Sequence, residues 1–228
     1  MQGRLLVDKP AGWTSFDVVN YVRRMVATAE GKKPKHVKVG HTGTLDPFAT
    51  GLLVLLVGKD YTRRAGELSK LDKTYEVTML FGATSSTGDP EGEITTVSGS
   101  QPTAEELGVA LQKFVGPIQQ VPPAFSAIKV NGQRAYDLAR AGKAVVLEPR
   151  NITINRLELL DFTYPSARFI ADVSSGTYIR TLVEDIAKTL GTNAYTTALR
   201  RTSVGTFSID DAVAVESLES ATLPLATL

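Results

Sequence analysis

Residues 39–59 read VGHTGTLDPFATGLLVLLVGK, and the fold turns on how this stretch divides. Residues 52–57 are an unbroken apolar run between glycines, the pattern of a strand buried on both faces. Such a strand needs a turn before it, and Gly43, Asp46 and Pro47 supply turn chemistry. Two residues are left over. His41 is one of two imidazoles in the chain, and Asp46 is the only acidic residue between Glu30 and Asp60.

Working outward on the N-terminal side, Ser15 is placed to cap a helix whose apolar positions Phe16, Val19, Val22 and Val26 recur at helical spacing. On the C-terminal side, residues 74–81 (TYEVTMLF) partly alternate, and residues 93–97 read as a short partner strand. Thr103 and Glu106 stand at capping-box spacing, which predicts a helix over 103–115 stopped by Gly116 and Pro117. Residues 117–150 are rich in Pro and Gly and read as an exposed excursion carrying Lys129, Arg134 and Arg140. It contains an Asn131-Gly132 turn signal and a short helix over 134–141, with Gly142 as its C-cap. Strands are predicted over 152–162 and 167–173, and a helix over 177–190 ending at Gly191. A short helix AYTTALRR and a strand SVGTFSI close the core. The order of elements is mixed, so an antiparallel or mixed sheet decorated by helices fits better than repeated βαβ units.

At 228 residues, 43% hydrophobic and 21% charged, the chain has the size and balance of one globular domain with or without an appendage. No apolar run approaches the ~18 residues of a membrane span, and the start MQGRLLVDKPAGWTSFD has no signal-peptide h-region, so a cytoplasmic address is expected. The chain has no Cys and only His36 and His41, which excludes disulfides, thiol nucleophiles and a zinc site of several His. The net charge of +1 hides an asymmetry: residues 1–40 carry a balance of +5 and residues 205–228 one of −4. GKKPKHVKVGH thus sets a positive patch directly before the Asp46 motif, to be read either as a solvated loop or as a contact for phosphates.

The chemistry is narrowed first by what the chain lacks. GLLVLLVGKD is not a P-loop, and there is no Gly-rich dinucleotide fingerprint and no nucleophile elbow. What remains is Asp46 in its loop, Tyr75 at a strand start, Tyr178 and Arg180 in SSGTYIRTLVED, and Arg200-Arg201. Each has a bland alternative: an Asx-type turn for Asp46, a strand aromatic for Tyr75, a structural salt bridge for Arg180, a solvated helix end for the Arg pair. Arg180 at a helix start opposes the macrodipole and calls for an acidic partner. Glycoside chemistry usually employs two carboxylates, and none stands near Asp46 in sequence. A lone Asp fits a reaction in which it attacks or polarises a sugar carbon and the leaving base is not lost to water.

Six motifs in order, DKPAGWTSFD (8–17), GHTGTLDPFATGLL (40–53), KTYEV (73–77), VPPAFSAIKVNGQRAYDLARAG (121–142), SSGTYIRTLVEDI (174–186) and ALRRTSVGTFSI (198–209), resemble the tRNA pseudouridine-55 synthases of the TruB type over nearly the whole chain. The resemblance implies an α+β pseudouridine synthase fold, a mixed and mostly antiparallel sheet flanked by helices, with the 117–150 excursion as a thumb-like insertion over the T-loop. It implies an isomerase that detaches uracil from C1′, turns it and rejoins it through C5 without cofactor or metal. Asp46 is then the catalytic aspartate, by attack on C1′ or by removal of a sugar proton, and Arg180 its ion-pair partner. Tyr75 stacks on the flipped uracil, Tyr178 and Leu199 line the pocket, and His41 fills the space that the nucleotide vacates. Lys9 and Lys129 lie in family motifs and support substrate or structure. The implied partner is the T-arm of tRNA, with no obligatory protein partner, no membrane and a monomeric chain. A catalytic domain over 1–210 and a short tail over 211–228 are expected, without the C-terminal PUA-like RNA-binding domain of many bacterial relatives. The alternatives are an RNA-binding or tRNA-folding module without catalysis, and a guide-RNA-dependent synthase subunit of the dyskerin type.

Overall fold

The computed structural model describes residues 1–126, 128–130, 132–142, 145–219 and 223–228. The chain divides into two compact units, Met1–Tyr75 with Leu199–Leu228, and Glu76–Ala198.

The first unit opens with β1 (Gly3–Lys9) and α1 (Ser15–Ala29), then a 3-10 turn (Pro34–His36), β2 (Val39–His41) and β3 (Thr50–Val57). Two single-turn helices, α2 (Lys59–Thr62) and α3 (Ala65–Leu68), lead to β4 (Lys73–Phe81), along which the chain passes into the second unit. β3 is the centre: β1 runs antiparallel along its whole length, from Gly3↔Val57 to Lys9↔Gly51. On its other edge β2 pairs antiparallel with residues 55–57, while the returning chain pairs parallel at residues 50 and 51. Seven of the strand's eight residues are buried, as the apolar run foretells. One face holds Leu53, Leu55 and Val57 against Val18, Val19, Val22 and Val26 of α1; the other holds Leu52 and Val54 against Val204. The helix differs from expectation at its start. Thr14, not Ser15, is the N-cap, in a reciprocal capping box with Asp17. Phe16 is 60% exposed, and Val18 and Met25 take the core positions instead.

In the second unit β4 continues into β5 (Ala83–Ser85), which pairs with β6 (Ile94–Thr96), and α4 (Ala104–Lys113) follows with the expected Thr103–Glu106 capping box. β7 (Gly116–Gln120) begins where the helix stops, so residues 117–120 belong to the sheet and not to the excursion. Beyond them, β8 (Lys129–Val130) and β9 (Gln133–Arg134) form a small hairpin, and α5 (Ala135–Arg140) ends before Gly142 at φ 69°. Asn131, half of the expected turn, lies outside the described residues. β10 (Arg150–Thr163) pairs antiparallel with β7 and with β11 (Ser166–Val173). α6 (Ile179–Thr189) ends at Gly191, and β12 (Ala194–Val204) returns the chain to the first unit. β11 and β10 lie next to β4 in the order β12-β4-β11-β10-β7. Phe169 and Ala171 of β11, Ile154 of β10 and Leu107 and Leu111 of α4 are buried, as are Leu182, Val183 and Ile186 of α6.

β12 overturns the predicted helix AYTTALRR. Ala and Leu favour a helix, but Tyr195, Thr196 and Thr197 suit a strand, and the register of Arg200 and Arg201 with Thr50 and Gly51 decides the matter through pairing far along the chain. The strand stops at Gly205, where the chain turns into β13 (Phe207–Ser208), so SVGTFSI is a hairpin and not one strand. Finally β14 (Val213–Ala214) pairs parallel with β1, Val215, Leu218 and Leu223 join the core, and Ala226 bridges to Arg4.

Candidate active site

Residues 42–49 connect β2 to β3 and carry Asp46 in the first unit. This loop is tied down at nearly every peptide. Thr42 N–H donates to Val54 O at 3.1 Å. Arg201 Nη2 donates to Gly43 O at 3.1 Å and its Nε to Leu52 O at 2.7 Å. Ser15 Oγ both accepts from Leu45 N–H at 2.8 Å and donates to Leu45 O at 3.0 Å. Pro47 O accepts from Gly12 N–H at 2.9 Å and from Lys9 Nζ at 3.2 Å. Asp46 and Pro47 open a turn closed by Ala49 N–H on Asp46 O at 3.1 Å, with Pro at the favoured second position. The turn reading of Asp-Pro is therefore correct, and it leaves the carboxylate a half-buried group on a rigid support.

The tethers are expensive residues to bury. Lys9 is 0%, Arg201 1% and Ser15 2% exposed, and a buried polar group without partners costs several kcal/mol. Lys9 spreads its ammonium over Pro10 O, Trp13 O and Pro47 O. Arg201 reaches the loop from β12, where Gly51 makes room: a Cβ at that residue, which has φ +101°, lies 2.3 Å from Arg201 O. Neither Arg200 nor Arg201 is the solvated helix end considered above. They alternate on a strand, so Arg201 points into the unit while Arg200 forms a bidentate pair with Asp8 at 3.0 and 2.7 Å. Removing only the serine hydroxyl tests the tethers gently. Ser15→Ala leaves Leu45 N–H and O buried without this partner and is expected to lower stability by about 1–3 kcal/mol, read as a shift in the urea midpoint, with a fall in turnover.

Arg201 also adds to the electrostatics of its neighbours. Burial first, and then the Arg201 charge, lower the pKa of His41, so its imidazole is neutral at pH 7; its Nδ1 is buried without a hydrogen-bond partner. Burial first and the same guanidinium second push the Lys73 ammonium down to about 8 from an ordinary 10.5. Lys73 donates to Ser69 O at 3.0 Å and to Leu71 O. Because the unfolded chain holds the Lys73 proton more tightly than the folded one, stability rises with pH between about 8 and 10.5. Lys73→Met should remove that part of the rise, seen as the difference between the two melting curves across this range. Tyr75 and Leu199, each 7% exposed, belong to the same unit.

In the second unit Arg180 occupies the first turn of α6. It is 5% exposed, pairs with Asp89 at 3.1 Å, and donates to Thr87 O at 2.7 Å and Phe125 O at 2.9 Å. The acidic partner that a helix-start arginine calls for is thus present in Asp89. Asp89 is itself held by Thr87 Oγ1 at 2.6 Å and Glu91 N–H at 3.0 Å. One turn along α6, burial raises the pKa of Glu184. Tyr178 is the helix N-cap, and Gln120 clamps its backbone from both sides: Tyr178 N–H donates to Gln120 Oε1 at 2.8 Å and Gln120 Nε2 to Tyr178 O at 3.1 Å. Lys129 pairs with Arg134 through the β8–β9 backbone. The candidates therefore fall into two groups: Asp46, His41, Lys9, Tyr75 and Leu199 in one unit, Tyr178, Arg180 and Lys129 in the other. Sequence reasoning missed Ser15 as a tether, along with Asp89 and Gln120; the signal for Arg201 was strand alternation, which sends one of two adjacent arginines inward. Among the described residues no three His, Cys, Asp or Glu side chains stand together as metal ligands.

Comparison with known proteins places the chain in a class, the pseudouridylate synthases. Residues 30–179 match the model described as TruB family pseudouridylate synthase (N terminal domain), and residues 180–227 that of the tRNA pseudouridylate synthase B C-terminal domain. The chain belongs to the TruB family of pseudouridylate synthases. It is 45% identical over 221 residues to a protein of Pseudomonas putida, covering 97% of this chain and 70% of the relative. It is 43% identical to one of Bordetella pertussis, with 96% and 88% covered, and 44% identical to one of Phocaeicola vulgatus, with 93% and 90% covered. All three are named tRNA pseudouridine synthase B. Among solved structures, a chain of a Cbf5-Nop10-Gar1 complex superposes with a TM-score of 0.72 at 26% identity, over 95% of this chain and 53% of that one. A chain of the archaeal box H/ACA sRNP Nop10-Cbf5 complex gives 0.66 at 25% identity, over 94% and 51%. This chain spans about half the length of those two.

Proposed function

We propose that this protein is a tRNA pseudouridine synthase that isomerises uridine 55 of the T-loop, with Asp46 as its catalytic carboxylate. The observation that carries the reading is the loop of residues 42–49: a chain that buries a lysine, an arginine and a serine to fix one turn is holding something in place, and the turn presents Asp46. In the reaction the C1′–N1 bond breaks, the uracil turns, C1′ joins C5, the C5 proton leaves to solvent and N1 takes up a proton. Atoms balance without an oxidant or co-substrate. Attack of Asp46 on C1′ and removal of the C2′ proton both begin from an ionised carboxylate, which a partner guanidinium favours; Arg180 is assigned that role.

The uridine must leave the RNA stack before C1′ is accessible, at a cost of a few kcal/mol. Tyr75 is assigned to stack on the extruded base, with Tyr178 and Leu199 lining its pocket. His41 takes up the space left behind, and its neutral ring is suited to stacking. Lys9 supports the turn, and Lys129 lies in the hairpin segment read as a thumb over the T-loop. Folded RNA of this kind is recognised mainly by shape and phosphate contacts. The reading includes a stand-alone chain in the cytoplasm; among the described residues no helix is long and apolar enough to cross a membrane.

The test is release of tritium from a tRNA transcript bearing uridine tritiated at C5, with purified protein and no guide RNA. Release is the expected result. Binding without release, restored by a guide RNA, would replace this reading with that of a guide-dependent subunit; the ground for testing a subunit role is the superposition on a chain of the Cbf5-Nop10-Gar1 complex.

A further inference from the structure

Away from the Asp46 loop, the first unit has a concave feature that the chemistry above does not use. A cleft of about 520 Å³ opens beside α1 and the Pro34–His36 turn, lined by Asn20, Arg23, Arg24, Pro34, Lys35 and Lys38 with two valines. It gathers four cations and no carboxylate. The acids of this part of the chain are occupied elsewhere: Asp8 by Arg200, Asp17 by the α1 capping box, Glu30 by Lys32 and the N-terminal amine. Among the described residues no carboxylate pairs with Arg23, Arg24, Lys35 or Lys38.

The cleft is also partly preorganised. Arg23 donates from Nη1 to Asn20 Oδ1 at 2.6 Å and from Nη2 to Val39 O at 3.3 Å, and lies over the Phe16 ring at 5.9 Å. Its guanidinium is fixed yet keeps the rest of its five donors for a ligand. Arg24 is shared with a neighbouring cleft of about 300 Å³ that includes Trp13 and Tyr21, whose rings meet edge to face at 5.8 Å, and Asp17, whose carboxylate is taken up by the Thr14 capping box. A cluster of cations with two aromatic side chains beside it suits a nucleic-acid chain, which offers both repeated phosphates and flat bases. The location fits as well. Lys38 directly precedes β2, which ends at His41, about 10 Å on at ~3.3 Å per residue.

We propose that this cleft seats backbone phosphates of the substrate RNA, a contact separate from the uridine pocket and a few nucleotides from it. The inference rests on the tRNA reading above. It also resolves the positive patch noted in the sequence: Lys35 and Lys38 belong to the seat, whereas Lys32 is drawn to Glu30 at 2.9 Å.

The experiment is tRNA binding by filter retention across a KCl series. Arg24 and Lys35 are exposed, so the Arg24→Ala, Lys35→Ala pair keeps the fold, which a melting curve verifies. Each lost phosphate contact lowers the slope of log K against log salt by roughly 0.7–0.9. The pair should flatten the slope by about 1.5 and weaken binding roughly tenfold at physiological salt. Lys32→Ala with Lys33→Ala, outside the cleft, should leave the slope as in wild type. Equal flattening by both pairs would reduce the cleft to part of a diffuse field, and an unaltered slope in the cleft pair would remove the contact; either overturns the proposal. Tritium release by the wild type is read in parallel. Its absence counts against the synthase reading, while the two slopes still decide the cleft.

Discussion

Asp46→Asn is expected to reduce single-turnover tritium release by at least about a thousandfold, the scale of losing a reacting group whose neighbours remain. The substitution is chosen because it spares the loop. Asn suits the first position of a turn as well as Asp does, so the closure of Ala49 N–H on residue 46 O persists, and so do the tethers at Gly43, Leu45 and Pro47. The melting point should stay within about 2 °C of wild type, the range of a substitution worth less than ~0.5 kcal/mol in a domain of this size. Binding of tRNA should stay within a few fold. Turnover near the wild-type rate in this variant would take Asp46 out of the chemistry and leave it a turn residue.

Arg201→Ala is expected to be the most damaging change to the scaffold. Arg201 is 1% exposed and serves Leu52 O and Gly43 O at once. Its loss leaves a cavity in the unit and two carbonyls without this donor, together about 3 kcal/mol, or roughly 6–12 °C in melting point. Arg201→Lys separates charge from geometry. An ammonium keeps the positive charge, but a point donor cannot replace the guanidinium fork across both carbonyls. It should recover part of the stability and little of the turnover. If Arg201→Ala melts like wild type, the loop is held by its other tethers alone. The alanine variant should also release His41 and Lys73 from a neighbouring charge, which moves both pKa values back toward their ordinary range.

What could be read from the chain alone was local. The apolar run of β3, the alternation of β4 and the Thr103–Glu106 capping box each declare themselves within ten or so residues, and each element is present. The misreadings arose where partners lie far away in sequence. AYTTALRR looks helical until β3 is beside it, and Arg201 bonds a carbonyl 149 residues distant. The Ser15–Leu45 bonds span 30 residues and the Arg180–Thr87 bond 93. No window of sequence contains either end of such a pair together with the other. The same holds for the chemistry. Residue by residue, Asp46 could be no more than a turn former, and only the ordered set of motifs pointed to a uridine; Asp89 and Gln120 stayed invisible because their roles exist only once Arg180 and Tyr178 are folded against them.

The tethering of residues 42–49 bears on when the ordering cost of catalysis is met. Loops that close on a ligand are drawn from the weakly protected parts of a protein and lose conformational entropy as they bind. This one is bonded to the start of α1, to the end of β1 and to β12, so it cannot open without loosening the core of its own unit. The free energy needed to order the turn is spent during folding, long before any RNA arrives. An incoming uridine meets a finished surface there, and whatever adjustment recognition requires falls on the RNA and on less tightly held segments.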